Sequence, residues 1–161
     1  MKFFQTTLCA MIAATTLVAI AAQENPTMHV SGTFDVTLAG QPADNPQARA
    51  AQIERMSIEK KYHGAIVGTS SGEMLSVKDE RDTGAYVALE KVTGSLQGRS
   101  GTFLLAHSGF MSGGAIGHWS LEIVPDSGTG ALAGLRGTMK FAVVEGARHS
   151  YELEYSLSGA R

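Results

Sequence analysis

The sequence has one cysteine, no block of like charge and no long helical pattern, and each absence excludes a class of protein. Cys9 is the single cysteine, so the chain has no disulfide to hold it and depends on a hydrophobic core. The 13 basic and 15 acidic residues are dispersed and give a net charge of −2. Such a balance gives no electrostatic reason to expect nucleic acid or an anionic membrane as a partner.

The first 22 residues have the pattern of a cleaved export signal. Lys2 supplies the initial charge, and a mostly apolar run extends from Phe3 to Ala22. The sequence Ala19-Ile20-Ala21 has the small residues that signal peptidase accepts. We therefore expect cleavage after Ala21 or Ala22, removal of residues 1–22, and a periplasmic or secreted protein with no membrane contact. A retained membrane anchor is the alternative, but no basic stop-transfer cluster follows the run.

Residues 23–161 are predicted to form one all-β domain. All 19 glycines follow Ser31, and they separate short apolar runs in the manner of strands joined by tight turns. The predicted strands are about eight: 28–38, 53–68, 73–77, 86–96, 101–109, 117–124, 135–144 and 149–157. Residues 39–52 are predicted to be a loop that ends in one helical turn. The short connections favour antiparallel pairing, in a sandwich or, as we expect, a closed barrel.

Two motifs resemble catalytic or cofactor sites, but their contexts favour turns. The G-x-S-x-G sequence at residues 68–72 is followed by a strand pattern, whereas a nucleophile elbow needs a helix there. The glycines of residues 128–134 also precede a strand, and a dinucleotide fingerprint requires a helix. The five histidines lack metal-ligand spacing. The sequence therefore predicts neither a metal nor a cofactor.

One predicted hairpin, residues 86–107, places a carboxylate beside an imidazole. If Gly98 and Arg99 are its central turn residues, Glu90 lies directly opposite His107, within reach of a hydrogen bond. Both belong to the face that carries Tyr86 and Phe103, which we predict to be the interior. The two side chains then either satisfy each other structurally or line a cavity, where a shifted pKa suits acid–base chemistry.

Three other polar residues are candidates for the barrel lumen. Tyr151 and Tyr155 share the inward face of the last strand with leucines, so their hydroxyls either reach a ligand or belong to core packing. Lys60 is on the same face as Tyr62 in the second strand. It either points inward, as a ligand-binding residue, or lies at the rim and extends to water.

Four stretches resemble a bacterial family described as domain of unknown function 3224. They are YVALEKVTGSLQGRSGTFLLAHSG at residues 86–109, KKYHG to GEML at 60–75, VPDSGTGALAG at 124–134 and HSYELEY at 149–155. Asp126 departs from the glycine expected in that turn, and many relatives lack a signal peptide. The resemblance implies a barrel like those of allene oxide cyclases and dirigent proteins. Such barrels have eight antiparallel strands around an apolar cavity, tend to form oligomers and steer a reactive intermediate; the resemblance implies no activity residue by residue.

Three functions are consistent with the sequence. The first is a barrel that binds a small, largely apolar molecule in its lumen, lined by Tyr86, Glu90, Phe103, His107, Tyr151, Tyr155 and Lys60. The second is a cyclase or isomerase in which Glu90 and His107 move a proton. The third is a filled barrel that serves as a structural or interaction module. A homo-oligomer is compatible with each.

Overall fold

The structure, a computed structural model, describes residues 25–145 and 148–158. The predicted signal peptide, residues 1–22, lies outside this part of the chain. Eight antiparallel strands pair in chain order, and β8 pairs with β1, so the predicted all-β closed barrel is confirmed. The strands are β1 (Met28–Gln41), β2 (Glu54–Gly64), β3 (Ile66–Lys78), β4 (Gly84–Leu96), β5 (Arg99–Ser112), β6 (Ala115–Ile123), β7 (Leu135–Glu145) and β8 (Arg148–Leu157).

The two ends of the barrel differ. At the sealed end, residues 124–134 connect β6 to β7 and contain a short 3₁₀ turn, Gly130–Leu132. Leu132 of this turn is 1% exposed and packs into the core. The opposite, open end carries the β1–β2 connection, with helix α1 (Pro46–Ala50). There Leu38 and Val143, which continue the inward-facing alternation of β1 and β7, are 51% and 68% exposed.

The interior follows from the alternation of the strands. Side chains of successive strand residues point to opposite faces, and every second residue of β4 from Ala88 to Val92 is buried. The same holds for Phe103, Leu105 and His107 of β5. The predicted inward face of this hairpin is therefore confirmed. Apolar side chains from all eight strands fill the half of the lumen nearest the sealed end.

The predicted long strand 53–68 is wrong, because the chain reverses at Gly64 and Ala65. Gly64 has a φ of +96°, in the region that glycine adopts without steric cost, and Ala65 N–H donates to Ser31 O over 3.2 Å. As a result, the glycine-rich residues 68–72 lie within β3 and are not the predicted turn. Gly68 instead faces Gly94 of β4, where the two backbones approach closely.

The predicted pairing of Glu90 with His107 is also wrong. The turn residues are Gln97 and Gly98, with φ values of 47° and 80°, as a two-residue hairpin of type I′ requires. Glu90 is consequently paired with Leu105, and His107 with Ala88. Glutamine is unusual at such a position. Its N–H donates to Ala65 O over 2.8 Å, and this contact with the β2–β3 connection holds it there.

The two loop predictions are confirmed. The β1–β2 connection contains the expected helical turn, α1, which Asn45 caps by accepting a hydrogen bond from Ala48 N–H over 2.7 Å. Residues 128–134 form a turn ahead of β7, with no helix N-terminus to face a pyrophosphate. In the described part of the chain, no helix is long and apolar enough to cross a membrane.

One ladder of the barrel is short. Among the described residues, β6 and β7 pair at two positions, Glu122 with Thr138 and Ile123 with Gly137. Nearer the open end, the rings of Trp119 and Phe141 lie 5.1 Å apart between centroids and connect the same two strands. We call this stretch the β6–β7 seam.

Gly68→Ala is expected to destabilise the barrel. A Cβ at Gly68 would collide with Thr93 O and lie 2.8 Å from the Cα of Gly94, and backbone cannot move aside cheaply. We expect the free energy of unfolding, measured by urea denaturation, to fall by about 1–3 kcal/mol. Gly40→Ala is the control, because Gly40 has open space around it. An equal effect of the two substitutions would contradict the register of β3 and β4.

Candidate functional site

A buried charged group occupies the middle of the lumen. Glu90 is 1% exposed, and its Oε1 accepts a hydrogen bond from Lys60 Nζ over 2.6 Å. His107 Nε2 lies 2.6 Å from the same oxygen, and Ser70 Oγ donates to Oε2 over 2.5 Å. Strands β2, β3, β4 and β5 each contribute one side chain to this group, which we call the Glu90 cluster.

The cluster keeps Glu90 ionised. Burial alone raises the pKa of a carboxyl group, but the contacts with His107 and Lys60 outweigh it and lower the pKa of Glu90 to about 2. For Lys60 the balance is reversed, since burial lowers the pKa of its amine more than Glu90 raises it. An uncompensated charge at this depth is costly. Each charged member therefore depends on the others.

A glycine allows the cluster to form. Gly72 of β3 lies opposite Glu90 of β4, and a Cβ at Gly72 would be 2.9 Å from Glu90 Cγ. Because that space is empty, the Glu90 side chain lies across β3 and reaches Ser70 and Lys60. Gly72 ends the G-x-S-x-G sequence, and Ser70 is its serine. The motif therefore serves the site through close packing and a hydroxyl.

Two polar atoms beside the cluster lack a well-aligned hydrogen bond among the described residues. They are Tyr62 Oη and His107 Nε2. The imidazole nitrogen is close to Glu90 Oε1 but is not oriented along the line between them. Burial, and then the charge of Glu90, raise the pKa of Tyr62, so its hydroxyl stays protonated and is a donor. Both atoms have polar neighbours in the cluster, since Ser70 adjoins the Tyr62 hydroxyl and Glu90 adjoins the imidazole.

Apolar side chains line the lumen between the cluster and the open end. They include three methionines, of which Met56 and Met74 are paired between β2 and β3, and all are partly or largely exposed. They are Leu38, Met56, Met74, Met111, Trp119 and Val143. Methionine is unbranched and adapts to irregular shapes. A few polar groups beneath an apolar lining are the usual composition of a small-molecule site.

The structure brings together three of the predicted site residues and distributes the others. Glu90, His107 and Lys60 are in contact, and Lys60 points inward, not to the rim. Tyr86 packs its ring over Gly109 near the open end. Phe103 belongs to the hydrophobic core.

The two predicted tyrosines of β8 are engaged near the sealed end. Tyr151 Oη accepts a hydrogen bond from Ile66 N–H over 2.7 Å, and Tyr155 Oη donates to Gln97 Oε1 over 2.7 Å. Each hydroxyl therefore binds a connection between two strands at the sealed end of the barrel. Neither of these two hydrogen bonds is made to the Glu90 cluster.

Ser70 and Tyr62 are the site residues that the sequence interpretation missed. Tyr62 follows Lys60 at the spacing of one strand face, and that signal was available. Ser70 lies directly opposite Lys60 in the β2–β3 ladder. Finding it required the reversal at Gly64, because the pairing of the two strands depends on that turn.

A groove of about 850 Å³ lies between α1 with its flanking loop and strands β3, β4 and β5. Its lining includes Ala88 and the cluster member His107. Leu75, Val87 and Leu89 line it with outward-facing side chains that are 44–63% exposed. This outer groove is a rival location for an apolar ligand. Within residues 25–145 and 148–158, no three histidine or acidic side chains converge as a metal site requires.

The pKa of Glu90 predicts a specific loss of stability in acid. Its ordinary value is 4.5 and its folded value about 2, so the unfolded chain binds more protons between these pH values. The stabilisation is complete above pH 4.5 and is lost as the pH falls to 2, by on the order of 3 kcal/mol. Urea denaturation from pH 6 to pH 2.5 measures this loss.

We expect Glu90→Gln to lack this loss of stability in acid. The control is Glu59→Gln, which removes an exposed carboxyl group of β2 and is expected to keep the loss. Parallel acid profiles of the wild type and Glu90→Gln would show that folding does not lower the pKa of Glu90.

Comparisons with known proteins agree with this fold. A family model described as "Protein of unknown function (DUF3224)" matches residues 30–155. A crystal structure of a DUF3224 family protein of unknown function from Shewanella oneidensis MR-1 is 38% identical, with a TM-score of 0.74. The match covers 84% of this chain and 100% of that one. A search of curated proteins gives no match. The chain belongs to the DUF3224 family.

Proposed function

We propose that the barrel binds a small, largely apolar molecule in the open half of its lumen, with the Glu90 cluster as the polar anchor. The observation that carries this proposal is a desolvated Lys60–Glu90 pair beneath apolar side chains that solvent reaches. A buried ion pair is seldom more stable than hydrophobic residues of the same volume. Its presence in a core otherwise filled by apolar groups therefore favours a role in recognition.

The exposed lumen-facing residues support the same proposal. An inward position of a closed barrel is normally covered, yet Leu38 and Val143 expose more than half of their surface. An apolar ligand that enters from this end covers them and gains the corresponding hydrophobic free energy. Its polar group then lies over Lys60 and His107, the cluster members whose side chains keep some exposure.

Acid–base catalysis is the second candidate, and the 2.6 Å contact between Glu90 and His107 favours it. A carboxylate beside an imidazole is a common arrangement for proton transfer. A bound molecule that the protein isomerises or cyclises would require this pair. Loss of turnover in Glu90→Gln with ligand binding retained would distinguish catalysis from binding alone.

We also propose that the mature protein is exported, on the strength of the signal-like residues 1–22. Intact-mass measurement of protein from its own producer tests this directly. A chain that begins at Ala22 or Gln23 supports export, and a chain that retains residues 1–22 contradicts cleavage.

A matched pair of substitutions tests lumenal binding. Met74 faces the lumen, and Leu75, the next residue, faces the outer groove. We expect Met74→Arg to raise the dissociation constant of the neutral fluorescent probe N-phenyl-1-naphthylamine by about tenfold or more, because a charge in the apolar lining costs over 1.4 kcal/mol of binding. Leu75→Arg leaves it unchanged. Fluorescence titration measures both.

The reverse result, in which Leu75→Arg alone weakens binding of the probe, would indicate that the ligand binds in the outer groove. No binding by the wild type would favour the filled barrel of a structural module. Native mass spectrometry of protein from its producer then identifies any molecule that co-purifies.

We propose self-association through the outer surface of β3, β4 and β5. Its exposed apolar side chains include Leu75, Val87, Leu89 and Phe110, and contiguous patches of this kind mark interaction sites. We expect light scattering after gel filtration to give an oligomer for the wild type and for the outward-facing control Thr93→Lys. Leu89→Lys raises the dissociation constant by about tenfold or more. A monomeric wild type would contradict self-association.

A further inference from the structure

Lys60 is the most unusual member of the Glu90 cluster. Its Nζ lies 2.6 Å from Glu90 Oε1 and 4.7 Å from the centroid of the Phe34 ring. Glu90 has no exposed side-chain surface, whereas Lys60 keeps 7%. Lys60 is therefore the member of the ion pair whose side chain is not fully enclosed. Within the described part of the chain, one of its three possible hydrogen bonds is made.

We propose that Lys60 is a nucleophile that forms an imine with an apolar aldehyde or ketone entering from the open end. The proposal rests on the lumenal binding proposed above, because the carbonyl compound must reach the amine. It assigns to the lumen a covalent chemistry and a ligand class.

Burial prepares the amine for this reaction. A lysine attacks a carbonyl group as the neutral amine, and desolvation is a common means of making that form accessible. Burial among Phe34, Tyr62 and the cluster lowers the pKa of Lys60 despite the opposing effect of Glu90. The neutral form is thus more accessible at Lys60 than at an exposed lysine.

Glu90 compensates the positive charge of the product as well as that of the Lys60 ammonium. The overall reaction converts an ammonium and a carbonyl compound into a protonated imine and water. One C–N bond forms, the C=O bond breaks, and the positive charge is retained. Glu90 Oε1 therefore has a cation beside it before and after the reaction, and the carboxylate is never left without a partner.

The proton has a route within the cluster. Attack requires that the ammonium release one proton, which returns to the oxygen of the carbinolamine when water departs. Glu90 Oε1 contacts both Lys60 Nζ and His107 Nε2, so the carboxylate connects the amine to an imidazole. Imidazole is the usual proton carrier near neutral pH.

The side chains that line the open half of the lumen indicate the chemistry of the rest of the ligand. Methionines and Trp119 extend from the cluster to the open end, and they suit an alkyl or aryl tail. A carboxylate head group is disfavoured, because it would bring a second negative charge to Glu90. The ligand class is therefore a neutral carbonyl compound with an apolar tail.

Reductive trapping tests the proposal on the unmodified protein. The protein is incubated with nonanal and sodium cyanoborohydride, digested, and analysed for alkylated lysines by mass spectrometry. Lys61, the next residue, is exposed on the outer face and is an internal control. We expect at least about tenfold more alkylation at Lys60 than at Lys61, since the bound carbonyl group is held beside the amine.

Two controls distinguish this proposal from simple binding. Lys60→Arg keeps a cation beside Glu90 and removes the amine, and we expect it to abolish the excess alkylation. Nonanol has the same tail without the carbonyl group, and we expect it to displace the naphthylamine probe and to suppress alkylation of Lys60.

Each outcome has a separate meaning. Equal alkylation of Lys60 and Lys61, with nonanal and nonanol still displacing the probe, overturns the imine and leaves lumenal binding intact. If neither compound displaces the probe and Lys60 is not preferentially alkylated, both proposals fail. Excess alkylation that survives nonanol competition overturns a shared lumenal site.

Discussion

The ionised carboxylate of Glu90 is the constraint on which the interior of this barrel depends. A charge with almost no exposed surface requires compensation from its neighbours, and Lys60, Ser70 and His107 supply it from three other strands. That requirement fixes the mutual register of β2 to β5, because a shift of one residue would turn these side chains to the outer face. The glycine at position 72 belongs to the same constraint, since a side chain there would occupy the path of Glu90.

The cluster also divides the lumen by function. Toward the sealed end, close-packed apolar side chains and the two β8 tyrosines supply stability. Toward the open end, the lining is incompletely covered, which is where a barrel of this size can hold a small ligand. The close-packed half and the incompletely covered half are therefore separated along one axis, and a change at one end is expected to leave the other largely intact.

The fold and the faces of the strands were predictable from the sequence, whereas the pairing partners were not. Alternation placed Glu90 and His107 inside and left Lys60 either inside or at the rim, because that signal is local to each strand. Pairing depends on the turn, and the turn at Gln97 is held by a contact with Ala65, distant in sequence. The error of two residues preserved the face, so Glu90 and His107 still meet, diagonally across the hairpin. The sequence does not distinguish a glycine needed for a turn from a glycine needed for close packing. For this reason the reversal at Gly64 was not predicted, and neither was the role of Ser70.

The short ladder between β6 and β7 has a mechanical consequence. Every other pair of neighbouring strands shares at least eight paired positions in the described chain, and these two share two. Separating β6 from β7 therefore breaks the fewest backbone hydrogen bonds, and the contact between the tilted Trp119 and Phe141 rings is the main resistance near the open end. We expect any expansion of the barrel to concentrate along this seam. The width of the lumen near the open end then depends on how far two aromatic rings can separate, and not on the number of strands alone.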